Sequence, residues 1–324
     1  MTGGVPDLRL VCDVGGTRTR FALADGEGHL KGLQEFETRD FANFTDAAKA
    51  YLARRDAVLS YPTAAAVAIA GPVVRDVAEL TNAAWRIAPA EAVAALGLDA
   101  LRLVNDFEAQ TYALPWLGPN DLEQIGGGAA REGTNRVVLG PGTGLGAAAL
   151  VGDRTGRRLA VSGEAGHTTL PAASDEEAAL IARLRRRFGH VSAERALCGP
   201  GLETLYQVLD ETHHGLEDGA GRRPAAAELA ALAAAGDETA RAALAFFSAF
   251  LGTVAADLAL TFWASGGVYI SGGVIPRLGQ AFDSAGFRRR FEDKGRFRRD
   301  LATFPTYLVT HPNLGLFGLA MLEM

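Results

Sequence analysis

A short apolar strand, a glycine turn and a second short strand form a unit that this chain uses twice. Residues 8–12 suit a strand, residues 13–17 (DVGGT) form the turn, and an apolar run follows. The same plan returns around residues 140–144 (GPGTG), again with an apolar run on each side. Short apolar runs joined by tight glycine turns are typical of paired strands. The chain therefore predicts a duplicated architecture, in outline rather than as a sequence repeat.

The first turn has the composition of a phosphate-binding loop. Gly15 and Gly16 let the backbone approach a ligand and expose its N–H groups, and a concave row of N–H groups suits an anion. Thr17 adds a hydroxyl donor, and Asp13 can hold a magnesium ion directly or through water. An ordinary Gly-Gly hairpin turn without a ligand explains the same residues equally well.

Strands and helices alternate along the rest of the chain. Apolar strand-like runs occupy residues 64–70 and 101–104, with a helical pattern at 90–96 between them. Residues 225–256 are rich in alanine and predict helix, with a break at 236–237. The closing segment predicts a helix whose glycines allow close packing. In 324 residues, this alternation predicts an α/β layer fold with room for two domains.

Composition argues against several classes of function. The net charge of −6 and the lack of a strong basic patch argue against a nucleic-acid partner, and the arginine runs 183–187 and 287–291 are expected on solvated helix faces. The two cysteines, Cys12 and Cys198, are too few for a disulfide framework or a thiolate zinc site and fit a reducing cytoplasm. Charges interrupt the apolar stretches, and no secretory signal is visible, so no membrane partner is expected.

Three glycine loops that follow apolar strands suggest a nucleotide site, but two common forms fit poorly. A Walker loop needs a lysine after its last glycine, and no glycine here is followed by Lys-Ser or Lys-Thr. Residues 142–147 (GTGLGA) match the looser dinucleotide fingerprint, with Glu164 at a suitable distance downstream. That fingerprint should open a helix, whereas a strand-like run follows it here. A phosphotransferase with one phosphate loop in each domain fits better.

These loops resemble the motifs of actin-like sugar kinases. Residues 13–17 resemble the first phosphate motif, residues 140–144 the second, and residues 266–273 (GGVYISGG) the adenosine motif, in the same order along the chain. Five further segments resemble the bacterial glucokinase family: residues 80–85 (LTNAAW), 104–107 (VNDF), 163–167 (GEAGH), 189–195 (GHVSAER) and 291–297 (FEDKGRF). The resemblance spans nearly the whole chain.

The resemblance implies an α/β fold of the actin-like ATPase (ribonuclease H-like) type within the hexokinase superfamily, with a cleft between two domains. The small domain would comprise residues 1–117 and a return from about 308 to 324, and the large domain residues 118–307. The implied reaction is ATP-dependent phosphorylation of D-glucose to glucose 6-phosphate by a cytoplasmic homodimer. A kinase for mannose, glucosamine or fructose, and a non-catalytic sugar-binding regulator, are the alternatives.

Asp106 is the candidate catalytic base. It follows the apolar run that ends at Val104, next to Asn105, where a carboxylate can accept the proton of an attacking hydroxyl. Because the transition state of phosphoryl transfer is loose, positioning and charge neutralisation dominate and a modest base suffices. The alternative role for Asp106 is the N-cap of a helix that starts at Phe107, and the two roles are compatible.

Polar side chains in the glucokinase-like segments are candidate ligands of the sugar. Each sugar hydroxyl offers a donor and two acceptors, with which carboxylates and amides can pair. The candidate substrate-binding residues are Asn82, Asn105, Asp106, Glu164, His167 and Glu194. Trp85 either closes the sugar pocket with Asn82 or packs at the start of a helix.

Two pairs of polar residues also have metal-ligand spacing. Glu164 with His167, and His190 with Glu194, would share a helix face, although glycines flank the first pair. The related repressor-type kinases bind zinc with a histidine and three cysteines, and this chain lacks that cysteine cluster. A structural zinc is therefore not expected.

ATP and Mg²⁺ are the implied cofactors. The candidate nucleotide-binding residues are Asp13, Gly15, Gly16, Thr17, Gly142, Thr143, Gly144, Gly272 and Gly273, and Asp13 is also the candidate magnesium ligand. Gly272 and Gly273 would lie along the adenosine, and the sequence contains no evident contact that selects the base. Arg18, directly after the first turn, either reaches the transferring phosphate or points to solvent.

Overall fold

The computed structural model describes residues 8–56, 58–71, 73–74, 77–80, 85–153 and 155–324. The chain forms two compact units: a small unit of residues up to 118 together with 311–324, and a large unit of residues 119–310. The strands are β1 (Arg9–Val14), β2 (Arg18–Ala24), β3 (Leu30–Glu37), β4 (Ala64–Ile69), β5 (Val73–Val74), β6 (Val77–Glu79), β7 (Arg86–Ile87), β8 (Ala100–Asn105), β9 (Leu122–Gly126), β10 (Arg136–Pro141), β11 (Leu145–Gly152), β12 (Arg158–Gly163), β13 (Val268–Ile270) and β14 (Thr306–Val309). The helices are α1 (Phe44–Ala53), α2 (Pro89–Leu96), α3 (Asp106–Ala113), α4 (Asp175–Phe188), α5 (Gly199–His214), α6 (Ala226–Ala234), α7 (Glu238–Phe262), α8 (Val274–Leu278), α9 (Ser284–Glu292), α10 (Arg298–Leu301) and α11 (Leu314–Ala320).

The small unit is built on a mixed sheet in the order β3-β2-β1-β4-β8. β1 pairs antiparallel with β2 and parallel with β4, and β8 continues the parallel series. Successive strand residues face opposite sides of a sheet. Accordingly, Leu10 and Cys12 pack in the core that includes α1 and α2, whereas Val11 packs with α3 and α11. The short strands β5, β6 and β7 form a separate antiparallel sheet.

The large unit repeats this plan. Its sheet has the order β12-β11-β10-β13-β14-β9. β11 pairs antiparallel with β12 and with β10, β10 pairs parallel with β13, and β13 pairs parallel with β14. The first five strands of this sheet therefore repeat the pairing of the five-stranded sheet β3-β2-β1-β4-β8. β9 adds an antiparallel edge strand. The duplicated architecture predicted from the two strand–glycine turn–strand units is confirmed.

Helix α7 is the long core helix of the large unit. The predicted break at residues 236–237 is confirmed, because α6 ends at Ala234 and the side chain of Asp237 caps α7 by accepting from the backbone N–H of Ala240. By length and composition α7 could cross a membrane, with a mean hydropathy of 1.8 over its most apolar window, although the sequence pattern had predicted no such segment. Of that window, 67% is buried inside the protein, as in the core helix of a globular fold.

The arginine runs are not simply solvated helix faces, so that prediction is partly wrong. Arg187 of α4 forms an ion pair with the buried Glu211. Arg290 of α9 lies 2.8 Å from the buried Glu177, and Arg288 donates to the carbonyl oxygens of Leu301 and Phe304. A buried carboxylate needs a partner, because removing its charge from water is costly. These arginines therefore tie separate helices together.

The closing helix α11 packs tightly on α3, as its glycines predict. A Cβ atom at Gly318 would collide with the carbonyl oxygen of Ala109. A Cβ atom at Gly315 would meet no clash, because its nearest neighbour would be the Asp13 Oδ2 atom at 3.8 Å, an ordinary van der Waals distance. Because residue 318 has no side chain, the backbones of α3 and α11 can pack in direct contact.

Replacing Gly318 by alanine is expected to destabilise the protein by about 1–3 kcal/mol, because α11 must shift away from α3 to make room for the methyl group. Urea denaturation measures this change in the free energy of unfolding. Gly315→Ala on the same helix is the matched control and should be neutral or stabilising by up to about 1 kcal/mol through helix propensity. Equal stability of the two variants would contradict the close packing.

Candidate active site

The carboxyl edge of the small-unit sheet collects two of the predicted acids. β1, β4 and β8 run parallel, with Val14 opposite Ile69 and Ile69 opposite Asn105. Asp13 is the penultimate residue of β1, and Asp106 follows β8 directly. Ligands of α/β sheets bind outside the carboxyl ends of the parallel strands. The candidate magnesium ligand and the candidate base therefore lie at the edge where a ligand is expected.

The first glycine turn is stabilised by one hydrogen bond of its own and by two from Thr38. The Gly15 N–H donates to the carbonyl oxygen of Arg18 at 3.0 Å, which closes the turn between β1 and β2. Thr38 braces it, because its N–H donates to the Thr17 carbonyl and its hydroxyl donates to the Gly15 carbonyl, each at 2.8 Å. The side chain of Thr17 stays exposed. The sequence pattern missed Thr38, which directly follows β3 and belongs to no motif.

The half-buried Asp13 carboxylate has a raised pKa. Burial raises its pKa above the ordinary aspartate value, and the opposing effect of the Arg20 guanidinium is smaller. Arg20 is the residue opposite Asp13 in the β1–β2 ladder. A carboxylate in this state is destabilised when ionised and gains from a further positive charge.

Arg18 takes the solvent-facing alternative. Its guanidinium lies 3.0 Å from Glu35 and 3.6 Å from Glu37 on the neighbouring strand β3, and its side chain is 59% exposed. Exposed pairs of this kind contribute little to stability. Arg18 is therefore engaged with the acids of the adjacent strand.

The N-cap of α3 differs from the predicted one. The N-cap is Asn105, whose Oδ1 accepts from the N–H groups of Phe107 at 2.9 Å and Glu108 at 3.3 Å, so the predicted capping role of Asp106 belongs to its neighbour. Asn105 also donates from Nδ2 to the carbonyl oxygen of Gly71 at 3.2 Å. Asp106 is the first helical residue, and its Oδ1 accepts from Phe107 at 3.0 Å. The Phe107 N–H thus helps to orient the half-buried carboxylate of Asp106.

Trp85 is a core residue. It is 3% exposed, packs with the α1 and α2 core, and donates from Nε1 to the carbonyl oxygen of Phe41 at 3.0 Å. Packing is thus the correct alternative for Trp85, although it precedes the short strand β7 rather than a helix. Asn82, its predicted partner at the sugar, lies outside the described residues.

The second glycine turn is tied to Glu194. The Gly142 N–H donates to the Gly144 carbonyl at 2.8 Å, which closes the turn between β10 and β11. Glu194 Oε2 accepts from the Leu145 N–H at 2.9 Å, and a Cβ atom at Gly144 would collide with that oxygen. Gly144 and Glu194 therefore fit each other, and a predicted sugar ligand lies beside a predicted phosphate turn.

Glu164 and His167 belong to a segment that packs against the Leu145 carbonyl oxygen. Glu164 directly precedes a 3-10 turn at Ala165–His167, and a Cβ atom at Gly166 in this turn would collide with the Leu145 carbonyl oxygen. Both side chains are exposed, with the His167 Nε2 and Glu164 Oε2 atoms 4.0 Å apart. His190 Nε2 lies 3.0 Å from the Thr169 hydroxyl. Within the described part of the chain, no group of three or more acidic, histidine or cysteine side chains is placed to hold a metal ion.

A cavity of about 460 Å³ in the large unit joins the second turn to the predicted adenosine loop. Gly142, Thr143 and Gly273 line it. Gly272 has a φ of 88°, and a Cβ atom there would collide with the carbonyl oxygen of Pro141, so only glycine permits this contact of backbones. The lining residues that the sequence pattern missed are Gly199, Pro200, Glu203, Ala225, Ala226, Ala227, Val274, Arg277 and Leu278.

Solved structures define the class of the fold. The crystal structure of a glucokinase from an Antarctic psychrotroph matches with a TM-score of 0.88 and 35% identity, covering 97% of this chain and 98% of that chain. A ROK-family glucokinase from Streptomyces griseus, solved with glucose and AMPPNP, matches with a TM-score of 0.65 and 21% identity over 97% of this chain and 98% of that chain. The fold is that of the actin-like ATPase and hexokinase class.

Sequence comparison identifies the family within that class. A family model described as Glucokinase matches residues 10–324. A glucokinase from Ralstonia nicotianae is 43% identical over 320 residues, which cover 96% of this chain and 93% of the relative. The chain belongs to the glucokinase family and is an enzyme of that family, as the sequence motifs predicted.

Replacing Asp13 by asparagine is expected to stabilise the fold at neutral pH in magnesium-free buffer. Because the pKa of Asp13 is raised in the folded state, its ionised form costs stability above that pKa, and the cost vanishes as the pH falls toward the ordinary aspartate value. The gain in the free energy of unfolding should therefore shrink on acidification, which urea denaturation at several pH values measures.

Asp25→Asn is the matched control with the opposite sign. Burial alone would raise the pKa of Asp25, but hydrogen bonds from His29, Lys31 and Glu27 lower it. Its ionised form therefore stabilises the fold at neutral pH, and the variant should lose stability there. A gain for Asp13→Asn that is the same at every pH would contradict the effect of burial.

Proposed function

We propose that this chain transfers the terminal phosphoryl group of ATP to the 6-hydroxyl group of D-glucose. The match of the glucokinase family to residues 10–324 carries the proposal, because that span includes both glycine turns, Asp106 and the Glu164–His167 segment. The glucokinase from R. nicotianae, 43% identical, supports glucose as the acceptor. The AMPPNP in the S. griseus relative supports ATP as the donor.

ATP is proposed to bind in the cavity of the large unit. Gly142 and Gly273 add no side chains to its wall, and Thr143 offers an exposed hydroxyl. Backbone N–H groups and hydroxyls are suitable donors to phosphate oxygens. The first turn, with Gly15, Gly16 and the exposed Thr17, is proposed to contact phosphate as well.

Asp13 is the proposed ligand of Mg²⁺, directly or through water. Burial disfavours its ionised form, so a cation beside it would be favourable, and Mg²⁺ is commonly held by one or two carboxylates together with substrate phosphates. Gly315 adds no side chain beside Oδ2. When bound, Mg²⁺ neutralises charge on the phosphate oxygens.

Asp106 is the proposed general base. The hydrogen bond from the Phe107 N–H helps to orient its carboxylate at the carboxyl edge of the sheet. In this role it accepts the proton of the 6-hydroxyl as that oxygen attacks the phosphorus. Little covalent help is needed, because the leaving and attacking oxygens are only loosely bonded in the transition state.

The proposed ligands of the glucose hydroxyls are Asn82, Asn105, Asp106, Glu164, His167 and Glu194. Support comes from the hydrogen bond of Glu194 to the Leu145 N–H and from the packing of Gly166, between Glu164 and His167, against the Leu145 carbonyl oxygen. Glu194 would serve twice, since Oε2 already accepts from Leu145. Asn105 would also combine a structural and a binding role.

Cellular location and assembly stay predictions. The buried, unpaired cysteines Cys12 and Cys198 fit a reducing compartment. Cys198 has a structural role, because its sulfur caps α5 by accepting from the Gly201 N–H. A homodimer rests on the family resemblance alone.

A coupled assay with ATP, Mg²⁺ and a panel of hexoses tests the reaction. Glucose is expected to give the highest kcat/KM, because a site built on hydrogen bonds to each hydroxyl discriminates strongly against sugars whose polar groups are placed or constituted differently. Higher kcat/KM with mannose, glucosamine or fructose would overturn the choice of sugar. Binding of glucose without turnover of any hexose would favour the regulator instead.

Asp106→Asn is expected to lower kcat by about a hundredfold or more while KM for glucose changes much less, since a general base acts on the transition state. Steady-state kinetics with glucose and ATP measure both constants. Glu108→Gln is the matched control, because Glu108 is a half-buried acid on the same helix whose carboxylate accepts from the Tyr112 hydroxyl. It should retain most of the activity. Near-full activity of Asp106→Asn would refute the assignment.

A further inference from the structure

The nucleotide cavity of the large unit contains a carboxylate that no sequence motif indicates. Of the described residues that line the cavity, Glu203 is the acid and Arg277 is the base; the other lining residues are small, apolar or hydroxyl-bearing. Phosphates are repelled by a carboxylate, so Glu203 must face another part of the nucleotide. The group that Glu203 contacts therefore affects which nucleotides the cavity can bind.

Glu203 is held in place by two neighbours and retains capacity for more. Its Oε1 accepts from the Ala226 N–H at 3.3 Å, and its Oε2 lies 3.4 Å from Arg223 Nε. The side chain is 26% exposed. An ionised carboxylate offers about four lone-pair sites, so these two contacts orient the group without saturating it. The acceptor is therefore pre-positioned toward the cavity.

The position of Glu203 along α5 indicates which group it meets. The Gly199 N–H at the start of α5 donates to the Gly142 carbonyl at 2.9 Å, so the helix begins beside the phosphate turn. Glu203 lies one turn further, about 6 Å along the axis at 1.5 Å per residue. The group that follows the phosphates in a nucleotide at such a distance is the ribose, and its hydroxyls are donors for a carboxylate.

We propose that Glu203 accepts hydrogen bonds from the ribose hydroxyls of the nucleotide and so selects ribonucleotides over deoxyribonucleotides. The inference rests on the proposed function to the extent that ATP binds in this cavity. It adds a polar selector to an adenosine site that otherwise consists of glycines and small apolar residues.

Calorimetric titration with ADP and 2′-deoxy-ADP, without sugar, tests the proposal. The wild-type protein should bind ADP more tightly by about tenfold, because a hydrogen bond to a charged group is stronger than one between neutral groups. Glu203→Ala should reduce this ratio to near one, mainly by weakening ADP. Glu203→Gln keeps the shape and an acceptor oxygen and should give an intermediate ratio.

Glu228→Ala is the matched control. Glu228 lies in the adjoining helix α6, and its carboxylate accepts from the Ala225 N–H at 3.1 Å, but it does not line the cavity. This variant should preserve the ratio of the two affinities. Thermal unfolding of every variant monitors folding, and a merely structural role of Glu203 would weaken ADP and 2′-deoxy-ADP equally, which would overturn the proposal.

Two further outcomes separate the possible failures. If Glu203→Ala changes the preference for ADP over GDP and leaves the deoxy ratio intact, the carboxylate contacts the base and the ribose assignment is wrong. If the wild-type protein binds ADP with the expected ratio yet phosphorylates no hexose, the proposal stands and only the proposed reaction fails. If it binds neither nucleotide, the assignment of Glu203 is overturned, whereas the proposed reaction is decided separately by the coupled assay with ATP and glucose.

Discussion

The main sheet of each unit depends on an inner strand that pairs antiparallel with one neighbour and parallel with the other. In the small unit, Val14 lies opposite Thr19 of β2 and Ile69 of β4. In the large unit, β10 has the same pair of neighbours in β11 and β13. This double pairing brings the hairpin turn to the edge where the parallel strands end. Residues far apart in sequence, such as Thr143 and Gly273, therefore line one cavity.

Features that depend on near neighbours could be predicted from the sequence, including both glycine turns, the break before α7 and the small residue at Gly318. The N-cap of α3 could not be predicted, because asparagine and aspartate are both favourable N-cap residues. Whether Asn105 or Asp106 takes that position depends on whether the helix begins one residue earlier or later. Buried arginines were also missed. A run of arginines has the same composition whether it faces water or, as Arg290 does, a buried acid on another helix.

The backbone of Leu145 organises the candidate acceptor side of the large unit. Its N–H is bound by Glu194, and its carbonyl oxygen lies where a side chain at Gly166 would be, which places the Glu164–His167 segment against it. Motif recognition assigns Glu194 to the sugar, and the structure adds its hydrogen bond to the glycine turn. A carboxylate that is oriented by such a bond loses less entropy when it binds a hydroxyl. The turn thus pre-organises the proposed sugar ligand.

The same turn connects the acceptor side to the nucleotide cavity through one continuous segment. From Glu194 the chain passes to Cys198, whose thiol donates to the Glu194 carbonyl and whose sulfur accepts from the N–H of Gly201. Gly199 then bonds Gly142, and Glu203 follows one helical turn later. Glu194 and Gly199 are thus both hydrogen-bonded to the turn between β10 and β11. The proposed sugar ligand Glu194 and the proposed ribose ligand Glu203 would therefore both be positioned by the turn between β10 and β11, through hydrogen bonds at Leu145 and Gly142.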